Sequence, residues 1–264
     1  MSKPRPLRGL VLSLLAQAGY TGLMQAVILA AGRGTRMREL TESTPKALLE
    51  VAGRPLLEYA LEALPDTIDE VILIVGYLGS SIHDRFGPDY FGKRILYVEM
   101  EELHGTAAAL WMAKDILSAR GGSASGGKDR FIVLMCDDIY ALDDVERMTK
   151  VQAWALGVEE VHSLTEGGKI VTDKKGRITE IVEGEHDGKP GLISTNLFAL
   201  DTRIFQTPMV LKAPTSSEYG LPQTTLAASE ALHIPLEAIP ATHWIKITTP
   251  EDLQKAEEIL AGNQ

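Results

Sequence analysis

The chain has 264 residues, 45% of them hydrophobic and 23% charged, the composition of an ordinary globule that can bury a core, which sets aside the disordered and membrane-spanning classes. Its formal charge of −10 argues against a general nucleic-acid binder, because a phosphate backbone selects a basic surface. The single cysteine, Cys136, excludes an intramolecular disulfide and suits a reducing, cytoplasmic compartment.

At the start of the chain, Lys3, Arg5 and Arg8 precede the apolar run Leu10 to Leu15, and Ala16-Gln17-Ala18 imitates the end of a secretory leader. The run is short for a leader and too short to span a bilayer, so no membrane association is expected. Residues 1–23 read as a non-catalytic extension, and residues 24–264 as one domain. Apolar runs bounded by turn signals predict strands over Ala26–Leu29, Val71–Val75, Ile95–Val98 and Phe131–Met135. Helical patterns lie between them over Leu56–Leu64, Ser80–Phe86 and Thr106–Ser118. Alternating strands and helices predict an α/β fold, a three-layer αβα sandwich on a mostly parallel sheet. Ligands of such sheets sit outside the carboxyl ends of the strands, which puts the loop at Gly32 and the run Cys136-Asp137-Asp138 on one edge.

The segment 120–128 is a polar, glycine-rich connector and not a phosphate cradle, since no strand runs into it and no helix follows. From about residue 158 the pattern changes. Lys169–Thr172 and Arg177–Val182 flank Asp173-Lys174-Lys175-Gly176, a small β-hairpin elaboration, and Leu192–Leu200 is a further strand. Thr249 and Pro250 open a final helix running to about Leu260. The domain divides into halves at 24–157 and 158–264, and no internal repeat or appended β-helix is expected.

The densest signal follows the first strand: Leu29-Ala30-Ala31-Gly32-Arg33-Gly34-Thr35-Arg36-Met37, with Pro45-Lys46 beyond. Gly32 and Gly34 are expected to take φ > 0 and turn successive N–H groups onto an anion. Arg36 adds a planar fork of donors and Lys46 a point charge, as a polyphosphate requires. A dinucleotide fingerprint would need glycine at Met37, and a Walker loop would need Ser or Thr at Ala47, so both are excluded.

The segment from Met24 to Leu57 resembles the opening signature of the sugar-1-phosphate nucleotidyltransferases, which make nucleotide sugars on a Rossmann-like sheet. The resemblance implies that a nucleoside triphosphate and a phosphorylated small-molecule acceptor are joined with release of pyrophosphate. It makes Arg36 and Lys46 the catalytic cations, and the loop residues Leu29, Ala30, Ala31, Gly32, Gly34 and Thr35 a nucleotide site. Phe131 to Asp138 resembles the family's strand that ends in Gly-Asp, with Cys136 for the glycine, so Asp137 takes the magnesium-binding place and Asp138 falls to the acceptor. Gly105 and Thr106 resemble the family's Gly-Thr-Ala segment beside the nucleobase. His104 next to them reads as a surface or packing residue rather than an acid or base.

Departures from the pattern bear on specificity. Met100 stands where readers of uracil or thymine often carry glutamine. Lys246 and Thr248 stand in the two places where the family's second metal carboxylate is found. Glu183 and Asn196 fall on the acceptor side, joined there by Lys246, whose ammonium sits in a cation's place; Gln223 replaces an acid. A small acceptor would make the chain a cytidylyltransferase for a polyol phosphate or phosphocholine. A third reading is a catalytically weak paralogue that binds nucleotide as a regulatory subunit. Apolar helical faces are compatible with a homodimer without fixing one.

Overall fold

The computed structural model describes residues 24–120 and 130–262; the expectations for residues 1–23 and for most of the connector after Ala119 lie outside them. In chain order the strands are β1 (Met24–Ala30), β2 (Glu50–Val51), β3 (Arg54–Pro55), β4 (Ile68–Val75), β5 (Asp89–Tyr90), β6 (Lys93–Glu99) and β7 (Arg130–Met135). After them come β8 (Ile139–Tyr140), β9 (Trp154–Val161), β10 (Glu166–Thr172), β11 (Ile178–Glu185), β12 (Gly191–Asp201), β13 (Leu236–Pro240) and β14 (Trp244–Ile245).

Strand β1 lies between β4 and β7, parallel to both, and β6 runs parallel to β4. Beyond β7 the sheet turns antiparallel: β12 pairs with β7 and carries the β10–β11 hairpin and β9. The order β11-β10-β12-β7-β1-β4-β6-β5 makes one continuous sheet, and the expected division at residue 157 falls inside β9. The apolar runs are unbroken because both faces of the parallel strands are covered. Val27, Leu29, Ile72 and Ile74 face one cluster, with Leu110 and Leu117 from the 106–120 segment and Leu221 and Ala228 from the helix Leu221–Ala231. The alternate residues Ala26, Ile28, Val71 and Leu73 face the other, with Leu57 and Leu61 of the helix Leu56–Glu62 and Val145 and Met148 of the helix Leu142–Lys150. A one-residue slip would reverse every one of these side chains, so the register is held from both sides.

A third cluster joins distant parts of the chain. Met37 from the loop after β1, Leu49 and Val51 pack with Ile139, Ile245, Ile247 and Ala256 of the final helix Pro250–Gly262. That helix opens as expected: Thr249 N–H and Thr248 N–H donate to Asp252 Oδ2 at 2.9 and 3.0 Å, and Asp252 N–H lies 3.4 Å from Thr249 Oγ1. The hairpin turn is also as read, with Asp173 Oδ1 accepting from Lys175 N–H and Arg177 N–H at 2.7 and 3.0 Å and Gly176 at φ 76°. Its strands reach outward to Glu166 and Glu185.

Two readings are corrected by the fold. The expected helix Thr106–Ser118 is two, Thr106–Trp111 and Lys114–Arg120. At the joint, Met112 N–H and Ala113 N–H bond three residues back, to Ala109 O at 3.2 Å and Leu110 O at 3.0 Å, a tightened turn that keeps Ala109, Leu110, Ala113 and Leu117 on the core and leaves the apolar period undisturbed. The helix Leu221–Ala231 and strands β9 and β13 had no clear signal. That helix buries Thr224 and Thr225 completely, and polar residues on a buried face erase the period. Among the described residues no helix is long and apolar enough to cross a membrane.

Candidate active site

The loop after β1 is shaped by one glycine rather than two. Gly34 has φ 65° and opens the 3-10 turn Thr35–Thr41; a Cβ there would lie 3.1 Å from both Lys46 Cβ and Thr41 Cγ2. Thr41 Oγ1 and Met37 N–H donate to its carbonyl at 3.0 and 2.8 Å. Gly32 is not in the left-handed region, contrary to expectation, and a Cβ there would meet nothing within 4 Å. Only the tight approach to Lys46 demands glycine. Met37, fully buried, anchors the turn, while Thr35 and Arg36 are left exposed. Tyr77, after β4, clasps the loop: its hydroxyl donates to Glu42 O at 2.5 Å, and the Arg33 guanidinium lies 5.4 Å from its ring centre.

Across the β1–β7 pairing, Cys136 N–H donates to Leu29 O at 3.2 Å, so the Asp137-Asp138 pair emerges beside the glycine loop, as the sequence places it. Pro45, at ψ 144°, turns the chain into Lys46–Leu48. The Lys46 ammonium makes an ion pair with Asp137 Oδ2 and donates to Ile247 O at 2.5 Å. Asp137 and Lys46 are 91 positions apart in sequence.

Asp138, expected at the acceptor, instead faces inward with 5% exposure. Its Oδ1 accepts from Ile247 N–H at 3.3 Å and its Oδ2 from Trp244 Nε1–H at 3.2 Å. Asp137 and Asp138 lie in the turn between β7 and β8, and the bonds from Trp244 and Ile247 hold the second carboxylate inward. Asp138 is therefore a clamp on the 244–247 segment. Burial, and then the charge of Asp137, raise its pKa to about 7. A folded pKa above the unfolded one gives stability that is full below the unfolded value and lost as pH rises through about 7. In metal-free buffer, raising the pH from about 5.5 to about 8 should cost the wild type about 2 kcal/mol more than Asp138→Asn. Thermal melts at the two pH values check this, and parallel losses would refute it.

On the opposite side of β1, a cavity of about 390 Å³ opens at the carboxyl ends of β4 and β6, lined by Arg33, Gly76, Tyr77, Ser80, Met100 and Glu101 among others. Gly76 lets two backbones converge, since a Cβ there would lie 2.9 Å from Ala31 O and 3.0 Å from Met100 O. The Met100 side chain is 6% exposed and packs with Leu29, Ala31 and Ala107. Gly105, at φ 93°, presses on another segment: a Cβ would lie 2.4 Å from Tyr219 O. Tyr219 N–H donates to His104 O at 2.7 Å, Ala107 N–H to Tyr219 O at 3.0 Å, and Leu221 N–H to Thr106 Oγ1 at 2.9 Å. His104 is exposed, as expected.

The acceptor-side residues are less closely gathered. Asn196, at φ 55°, sits in a bulge of β12 between Ser194 and Phe198, its N–H held by Ser194 Oγ at 2.9 Å. Tyr140 ties this bulge to β7, donating to Thr195 O at 2.9 Å. Glu183, farther out on β11, accepts from Gln223 Nε2–H at 2.8 Å. Lys246 is exposed, between the buried Ile245 and Ile247. Tyr140, Tyr77 and the Ile247 carbonyl carry no sequence signal of their own, whereas the segment from Trp244 to Pro250 is marked for the site by its resemblance to the family's second metal position.

Magnesium suits this arrangement as an ion shared with substrate. It binds through one or two carboxylates, substrate phosphates and water, and Asp137 offers one half-buried carboxylate at the strand end. Among the described residues no group of three or more His, Cys, Asp or Glu side chains could hold a metal by itself.

The nucleotidyl transferase family matches residues 25–262 of the chain. The UTP–glucose-1-phosphate uridylyltransferase AglF of Haloferax volcanii is 31% identical over 251 residues, 90% of this chain and 96% of AglF. The bifunctional protein GlmU of Methanocaldococcus jannaschii is 34% identical over 183 residues, 69% of this chain and 41% of GlmU, so the chain spans less than half of that relative. Among solved structures, the CTP:phosphocholine cytidylyltransferase LicC of Streptococcus pneumoniae has a TM-score of 0.64 at 23% identity, covering 90% of this chain and 99% of LicC, a likeness of fold alone. The chain therefore belongs to the nucleotidyl transferase family, among the sugar-1-phosphate nucleotidyltransferases.

Proposed function

We propose that the chain joins a nucleoside triphosphate to a sugar-1-phosphate, giving a nucleotide sugar and pyrophosphate, in a cytoplasmic, magnesium-dependent reaction. The observation that carries this reading is the meeting of Lys46 and Asp137 at the carboxyl edge of the β1–β7 pair, with Arg36 exposed on the loop that follows β1. The attacking phosphate oxygen is already anionic at neutral pH, so no general base is needed and catalysis is positioning with charge neutralisation. Arg36 bridges the α- and β-phosphates and stabilises the charge that develops on pyrophosphate. Lys46 holds the acceptor phosphate against the α-phosphate. Asp137 supplies the protein's ligand to magnesium, which when bound neutralises phosphate charge. The cavity beside Gly76 and Met100 receives the nucleoside, and Gly105 and Thr106 follow Leu103 of its wall in sequence. Asn196, Lys246 and Glu183 face the acceptor.

Glu183 is engaged by Gln223, which favours a small acceptor and keeps a second reading open, a cytidylyltransferase for a polyol phosphate or phosphocholine. The lack of a carboxylate at Lys246 supports a third, a nucleotide-binding subunit with weak turnover. Pyrophosphate release with magnesium, five nucleoside triphosphates and a panel of sugar-1-phosphates, polyol phosphates and phosphocholine separates them. Release with a sugar-1-phosphate is the expected result. Nucleotide binding without release from any pair would leave only the third reading.

A further inference from the structure

The Lys46–Asp137 pair has a bearing on how the metal arrives. We infer that in the substrate-free protein the Lys46 ammonium is the resident cation of Asp137, closing that carboxylate to a bare divalent ion until an incoming triphosphate draws the ammonium away. The first half concerns this chain's own side chains; the second rests on the nucleotidyl-transfer reading.

Three observations carry the inference. The ammonium is held from two sides, by Asp137 Oδ2 and by Ile247 O at 2.5 Å, which occupies two of its three donors. The carbonyl is itself fixed, because Ile247 N–H and Trp244 Nε1–H both donate to Asp138, at 3.3 and 3.2 Å. Lys46 is also 9% exposed, with its stem packed against Gly34, where an added Cβ would lie 3.1 Å from Lys46 Cβ. An ion pair so enclosed is costly to open, since separation leaves a buried charge uncompensated.

Among the described residues Asp137 belongs to no group of three or more metal-ligating side chains. Asp138 is turned into the core, and position 246 carries a lysine. A hydrated magnesium ion surrenders water reluctantly and would gain one carboxylate that already has a partner. A triphosphate changes both sides of that balance: its charge competes for Lys46, and its oxygens supply the ligands the protein lacks. Once the ammonium has moved, the Asp137 carboxylate and the Ile247 carbonyl, both hard oxygens, face the space it left. Asp138 is in this scheme a positioning residue that acts through Ile247.

The test uses Mn²⁺ alone, titrated into metal-free protein and followed by the electron paramagnetic resonance of the free ion. Wild type should bind it no more tightly than about 1 mM. Lys46→Met keeps the stem against Gly34 and removes the charge; it should bind Mn²⁺ about tenfold or more tightly than wild type. The gain should vanish in Lys46→Met/Asp137→Asn. Equal affinity in wild type and Lys46→Met, or a gain that survives Asp137→Asn, would overturn the inference. If Lys46→Met does not fold, Lys46→Gln decides by the same readings. No turnover enters this measurement, so the absence of pyrophosphate release from any substrate pair would sink the proposed function and leave the resident cation standing.

Discussion

Asp137→Asn should lower the rate of pyrophosphate release by about a thousandfold, equivalent to about 4 kcal/mol of transition-state stabilisation. The substitution keeps the size of the side chain and one of its oxygens but removes the charge, so on the proposed reading magnesium loses the Asp137 carboxylate, and Lys46 loses its ion-pair partner. The loss should appear in kcat far more than in the KM for the triphosphate, because the proposed nucleoside cavity beside Gly76 and Met100 is untouched. The melting temperature should fall as well, because the nearly buried Lys46 ammonium is left with the Ile247 carbonyl and no counter-charge. Steady-state kinetics beside a thermal melt provide the check. A rate within tenfold of wild type in a folded variant would remove Asp137 from the metal site.

The second large effect is on stability. Gly105→Ala should destabilise the fold by about 3 kcal/mol or more, lowering the melting temperature by roughly 6–12 °C. Position 105 has φ 93° and ψ 178°, a region that L side chains scarcely enter. The new methyl would lie 2.4 and 2.8 Å from Tyr219 O and N, backbone atoms that cannot swing aside. Relief would come only by parting the 104–107 segment from 219–221, at the expense of the bonds His104 O, Ala107 N–H and Thr106 Oγ1 make there. On the proposed reading nucleotide affinity should fall with it, since Gly105 follows Met100, Glu101 and Leu103 of the cavity wall within a few residues. Gly32→Ala gives the contrast. With no positive φ and nothing within 4 Å of the added carbon, it should leave the melting temperature unchanged. Comparable losses in the two variants, read by calorimetry, would contradict this account.

The contrast between the two glycines shows where sequence reading ran out. Gly32 and Gly34 look alike in the motif, and both were expected to turn left-handed. What distinguishes them is Lys46 Cβ and Thr41 Cγ2 lying against Gly34, neighbours that the fold delivers. Gly105 looked like a nucleobase contact, yet its conformation answers to Tyr219, more than a hundred residues away. The broken helix at Met112-Ala113 was hidden for a different reason: tightening a turn leaves the buried set Ala109, Leu110, Ala113 and Leu117 on one face, so the periodicity is the same with or without the break.

The sequence by itself determined the parallel heart of the sheet and the edge on which the loop after β1 meets Asp137. These follow from signals carried within a few residues: strands buried on both faces must be unbroken apolar runs, and such strands alternating with helices lie parallel. Tertiary structure alone decided the division of labour in the Asp137-Asp138 pair. One faces Lys46 and the other clamps Trp244 and Ile247, 106 and 109 positions away. It also decided that a backbone carbonyl would share the Lys46 ammonium. Every peptide unit has such a carbonyl, so no sequence can mark the one that packing brings within reach of a charge.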